Sequence, residues 1–255
     1  MTSAWSADLT YGYLERLLTV VREAFDLRLL RDGPGTDADP PRAIIRHDVD
    51  VCLGRALALA EREAQWGVRS TYLLQVDCPL YDLDDVEGRA ALGRLAALGH
   101  EVGLHVDVGQ AMSDDNMTSA VEARIRDAQE RLAALSGTTV ESVSFHRPAP
   151  ALLRGPDRIH GLVNAYGETL MTAYLSDSEG RWRNGEPLPQ VRATKARLLQ
   201  LLIHPIWWDE YHLSPGDRLQ EFFDSSIEGM TPEEVETFDA ELLRAVEPAK
   251  RTGLG

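Results

Sequence analysis

Apolar positions recur at helical spacing first between Tyr11 and Leu30. Leu14, Leu17, Leu18, Val21 and Phe25 fall on one face there and predict a helix over 11–30. A Gly-, Asp- and Pro-rich loop over 31–41 separates it from Ala43-Ile44-Ile45, a short apolar run that predicts a buried strand leading into Arg46-His47-Asp48-Val49-Asp50. Further helices are predicted over 55–66, closed by Gly67, over 84–98, closed by Gly99, and over 118–135, stopped by Ser136-Gly137. Strands are predicted over 71–76, 101–104 and 140–145, and the weaker pattern beyond gives strands over 170–175 and 199–203 and a last helix over 232–246. Strands alternating with helices predict βα units and a mainly parallel sheet. No repeat and no dividing linker interrupts the pattern, so residues 1–255 read as one α/β domain. Its core is 42–208, and helices 11–30 and 232–246 pack on it.

In such folds chemistry gathers at the C-terminal ends of the strands, and every His and Asp cluster here falls at such an end. Along an extended segment Asp48 and Asp50 point the same way, so one can hold a metal while the other serves as base. His105 leaves the strand that begins at Glu101, placed to ligate a metal through a neutral imidazole nitrogen. Two residues on, Asp107 is a ligand, an orienting partner of His105 or a turn cap. His100, at the opposite end of that strand, reads as structural. Ser144-Phe145-His146-Arg147-Pro148 ends the next strand, and Arg147 there is available to pair with a carboxylate such as Asp48. Leu201-Leu202-Ile203-His204 delivers a partly desolvated imidazole, suited to a general acid near neutral pH.

Composition narrows the function classes. A net charge of −15 without a Lys/Arg cluster excludes nucleic acid as a partner and would suit a cationic substrate such as an amino sugar. No apolar run approaches the roughly 20 residues of a membrane span, and the N-terminus shows no secretory signal, so a cytoplasmic location without membrane partners is expected. Cys52 and Cys78 match no zinc or redox spacing and are expected as free thiols. Nothing in the pattern bears on oligomeric state.

The four clusters, in this order over 42–208, resemble the polysaccharide deacetylase family (carbohydrate esterase family 4, the NodB-homology domain). The resemblance implies a distorted (β/α) barrel and a divalent metal, zinc, held by one Asp and two His. Carried onto this chain, it makes Asp48 the base and Asp50 a ligand. The Gly99-His100-Glu101-Val102-Gly103 lead-in makes His105 a second ligand, Arg147-Pro148 orients the base, and His204 of the Leu-x-x-His motif is the general acid. Asp177 falls where the family often places a supporting Asp. The chain departs from the family where Val49 separates the two Asp residues and where Gly109 stands at the usual position of the second ligating His. The expected replacement is His146, with Asp107 in reserve. The implied activity is removal of an N-acyl, notably N-acetyl, group from a small sugar or secondary-metabolite intermediate. Trp182, Trp207 and Trp208 are available either to stack on a sugar ring or to fill core. Two rivals stand beside this reading: a metal-free cyclic amide hydrolase resembling allantoinases, and a non-catalytic glycan-binding barrel.

Overall fold

A computed structural model describes residues 4–36, 39–108, 119–148 and 152–246. Helix α1 (Tyr11–Ala24) opens where the Thr10 side chain accepts from the Tyr13 amide, and it buries Leu14, Leu17, Leu18 and Val21. It is shorter than the apolar pattern predicts. Phe25 is extended, and β1 (Asp26–Arg28) peels away to pair with the start of β2 (Arg42–Val49), because a parallel register with Arg42–Ile44 outweighs helix propensity over those three residues. Then follow α2 (Leu53–Gln65), β3 (Thr71–Leu74), α3 (Val86–Ala97), β4 (Glu101–Asp107), α4 (Ser119–Ser136) and β5 (Ser142–His146). These are the predicted βα units.

The later chain, where the pattern is weaker, holds β6 (Arg158–Ile159), β7 (Leu162–Asn164), β8 (Tyr174–Ser176), α5 (Pro187–Ala193), β9 (Leu198–Ile203), α6 (Pro215–Ser226) and α7 (Pro232–Val246). Of these, β9 and α7 fall where the sequence predicts them. The strand predicted over 170–175 is realised only as β8; Leu170 is instead a buried interior residue before it.

The sheet runs β6-β7-β5-β4-β3-β2-β9-β8, parallel except for the β6–β7 hairpin. It curls on itself. Ile44 of β2, Leu73 of β3, Val163 of β7 and Leu170 share one interior cluster, and Gln200 of β9 donates to the Ala165 carbonyl beyond β7 at 3.0 Å. The result is the expected distorted (β/α) barrel, with β6 and β8 as the ends of the hydrogen-bonded order.

Side-chain alternation on β2 decides what faces inward. Ala43, Ile45 and Val49 enter the cores under the helices, whereas Ile44, Arg46 and Asp48 enter the barrel. Packing inside is tight at Gly103 of β4, where an added Cβ would lie 2.4 Å from Ser142 Oγ and 2.6 Å from Leu73 Cδ2. Below it Glu101 closes the floor, accepting from Thr71 Oγ1 and Ser142 Oγ at 2.7 Å each. Among the described residues no helix is long and apolar enough to cross a membrane, and both cysteines are free.

Candidate metal centre and active site

The ends of β2, β4, β5 and β9 converge on one cavity of about 360 Å³, lined by Asp48, Asp50, His105, His146, Arg147 and His204 among others. Asp50, one residue past β2, is its hub. Its Oδ1 lies 2.9 Å from His105 Nε2 and 3.1 Å from His146 Nδ1, and its Oδ2 lies 3.7 Å from His204 Nε2. Burial alone would push the Asp50 carboxyl up, but His146 and His105 hold it well below the usual carboxylate range. Burial likewise opposes the charged form of His146, and Asp50 reverses this and raises it.

One ligand atom from each of Asp50, His105 and His146 falls within 4.8 Å of the others, a spacing that suits one shared cation. The fit is tested by His105. Ser144 Oγ donates to Asp48 Oδ1 at 3.3 Å and so accepts from His105 Nδ1 at 2.6 Å, which puts the imidazole proton on Nδ1. That leaves His105 Nε2 to face the cluster. It is buried, makes no well-aligned hydrogen bond among the described residues and lies 2.9 Å from Asp50 Oδ1, a placement that suits a ligand to a shared cation. The donors fit a divalent metal.

Asp48 sits behind this group, 2% exposed, with His105 Nδ1 at 3.8 Å. The arginine that faces it is Arg46, at 3.7 Å and fully buried, not the expected Arg147. Residues two apart on β2 share a face, so the chain carries its own partner for Asp48 on the same strand. The Arg46 guanidinium lies 4.4 Å from the Tyr166 ring centroid and makes no well-aligned hydrogen bond among the described residues, so it acts on Asp48 as a charge at close range. Arg147 is exposed and takes a left-handed backbone, φ 47°, at the cavity wall.

His204 is held rigidly. Its amide donates to both oxygens of Asp177, at 3.0 and 3.1 Å, and its Nδ1 contacts Asp177 Oδ1 at 2.7 Å. Burial opposes its charged form, yet Asp177, with Asp50 and Asp48 behind, pushes it up to about 9. Asp177, fully buried, also accepts from Trp208 Nε1 at 2.7 Å.

Other expected residues lie elsewhere. Trp182 and Trp208 are core, 1% and 0% exposed, and of the three tryptophans Trp207 alone lines this cavity. Asp107 does not join the three-residue group and lines a small recess with Gln75, Asp77, His105 and Arg124. His47 turns outward to Glu63, and His100 is buried against Ser70 and the Ala60 carbonyl. Gly109 lies outside the described residues. Sequence reasoning assigned no role to Arg46, Ser144, Tyr166 or Tyr174. The first two were within reach, since each stands two residues before a site residue on its own strand.

No family model and no curated protein matches the chain. Among solved structures it is similar to a family 4 acetyl xylan esterase from Clostridium thermocellum in complex with a cobalt ion, at 16% identity over 78% of this chain and 91% of that one, with a TM-score of 0.42. It is also similar to the catalytic domain of a peptidoglycan N-acetylglucosamine deacetylase from Eubacterium rectale, at 11% identity over 77% and 89%, TM-score 0.42. A third is a mutant of a CE4 family pseudoenzyme with restored enzymatic activity, at 11% identity and TM-score 0.40; the match covers 81% of this chain and 63% of that one. At identities and scores this low, the likeness says nothing about the chemistry of this chain, which its own residues must carry.

Proposed function

We propose that this chain is a metal-dependent hydrolase that removes an N-acyl group from a small molecule. The observation that carries the reading is the meeting of Asp50, His105 and His146 at one point, with Asp48 and His204 beside them. Nitrogen and carboxylate donors of this kind suit zinc. A divalent cation held there would supply a Lewis acid that acidifies water and polarises an acyl carbonyl.

The side chains divide the proton chemistry. Asp48 takes a proton from the attacking water, and Arg46 and Ser144 hold it in place and aimed. His204 carries protons on both nitrogens at neutral pH: Nδ1–H donates to Asp177, and Nε2–H is free for the leaving nitrogen. As the C–N bond breaks, that nitrogen takes the His204 proton, and the products are a carboxylate and an amine. A cavity of about 360 Å³ suits a small ligand, and Ala245 and Val246 of α7 form part of its wall.

Incubation with a chelator is expected to abolish acetate release from N-acetylated amino sugars or amino acids, and added zinc to restore it. Persistent activity in metal-free protein would favour the cyclic amide hydrolase instead. His146→Ala is expected to lower bound metal, measured by elemental analysis after dialysis, to about a tenth or less of one per chain, since two donors rarely hold zinc. Undiminished metal content would remove His146 from the ligand set.

A further inference from the structure

Two arginines line the cavity, Arg147 and Arg183, and the chemistry above uses neither. Arg183 is tied to Glu179, donating to its Oε1 at 2.7 Å. Arg147 makes no ion pair among the described residues, and the place expected for it beside Asp48 is filled by Arg46. Its backbone is strained: φ of 47° in a bulky non-glycine residue costs on the order of 1–3 kcal/mol and persists only where the surroundings impose it. Those surroundings are His146, bound to Asp50, on one side and Pro148 on the other.

Charge points the same way. Arg46 faces Asp48 at 3.7 Å and Arg183 pairs with Glu179, so of the arginines around the cavity only Arg147 has no carboxylate partner among the described residues, and its charge stands uncompensated at the wall.

We propose that the substrate carries an anionic oxygen group, a carboxylate or a phosphate, which Arg147 binds at the cavity wall. This rests on the hydrolase reading and names the substrate class for it. The acyl group lies over the cluster of Asp50, His105 and His146, and the anion is held by the guanidinium that follows His146 directly in the chain. Arg147 is thus a specificity-determining residue and has no part in the proton transfers.

The test compares kcat/KM for acetate release from N-acetylglucosamine, its 1-phosphate and a set of N-acetyl amino acids. One anionic class is expected to exceed the neutral sugar by at least about 10-fold, and the class that does so tells phosphate from carboxylate. Arg147→Ala is expected to raise KM for that class by about 10–100-fold, the usual worth of a charge-assisted contact, while kcat and the neutral substrate stay within about twofold. Arg147→Gly, which relieves the strained backbone, is expected to show the same KM defect without loss of thermal stability. In parallel, binding of inorganic phosphate and of succinate to chelator-treated protein is measured by calorimetry. One of them is expected to bind the wild type and to weaken at least about fivefold in both variants.

If no compound is turned over but that anion binding is still lost in the variants, the hydrolase reading fails and the anion site stands. Equal kcat/KM for neutral and anionic substrates overturns the proposal. So does a fall in kcat on every substrate alike, which would return Arg147 to the base, and so does anion binding that is absent or indifferent to Arg147.

Discussion

Asp48→Asn is expected to lower turnover by about 10²–10⁴-fold, the usual contribution of a positioned general base, while the bound metal stays at the wild-type level. Asn keeps the shape of the side chain and an oxygen that can accept from Ser144, but it cannot take the proton of water. Metal should be retained, because on the proposed reading its donors are Asp50, His105 and His146, which converge without Asp48. The substitution also strips Arg46 of its countercharge. Both groups are buried, at 0% and 2% side-chain exposure, and breaking such a pair costs about 3–5 kcal/mol. The true cost falls below that range, because the pair is separated by 3.7 Å and the Tyr166 ring already faces the guanidinium. Adding Arg46→Met to Asp48→Asn removes the stranded charge, so stability should recover while activity stays lost. Activity that returns with stability would show that Asp48 matters only for folding.

The largest stability effect is expected from Glu63→Ala. Glu63 lies fully buried on α2 and accepts from His47 Nε2 at 2.9 Å, Ser70 Oγ at 2.5 Å and Tyr72 OH at 2.8 Å. These partners pin β2 and β3 to α2, and with His47 facing outward Asp48 faces in. Removal strands three buried polar groups, so a loss of about 3–5 kcal/mol is expected, or a melting temperature lower by roughly 6–20 °C in a chain of this size.

The pH dependence has a definite sign. Burial alone would raise the Glu63 carboxyl, but His47, His100 and Ser70 hold it below its ordinary value. A depressed folded-state pKa means the stabilisation is fully present above the unfolded value of about 4.3 and is lost as pH falls through the lower, folded one. Wild-type stability should therefore decline in that acid window, and the Glu63→Ala curve should be flatter there. Denaturant unfolding at pH 7 and below pH 4 measures both; equal stability of the two proteins at pH 7 would show that the network contributes nothing.

Periodicity in the chain was enough for α1 to α4, for β2 to β5 and for β9, because each buries an apolar stripe whose spacing matches its own geometry. It was not enough for β1, β6 and β7, strands of two or three residues whose only cause is a neighbour to pair with. Trp182 and Trp208 could not be placed either, since an aromatic ring fills a core and a sugar site equally well and only its neighbours decide between them.

At the site, local alternation already determined that Arg46, Asp48 and Ile44 share one face of β2, and that Ser144 and His146 share one face of β5. What remained open was which of these faces would meet. The register of β4 on β5 sets His105 opposite Ser144, and the curl of the sheet brings that pair to Asp48 and Asp50. Register and curl are properties of all the strands packed together, so no single segment encodes them. The residue types and their facing belong to the sequence; the choice of Arg46 over Arg147 as the partner of Asp48 belongs to the tertiary structure, because an ion pair forms between side chains that packing brings within reach.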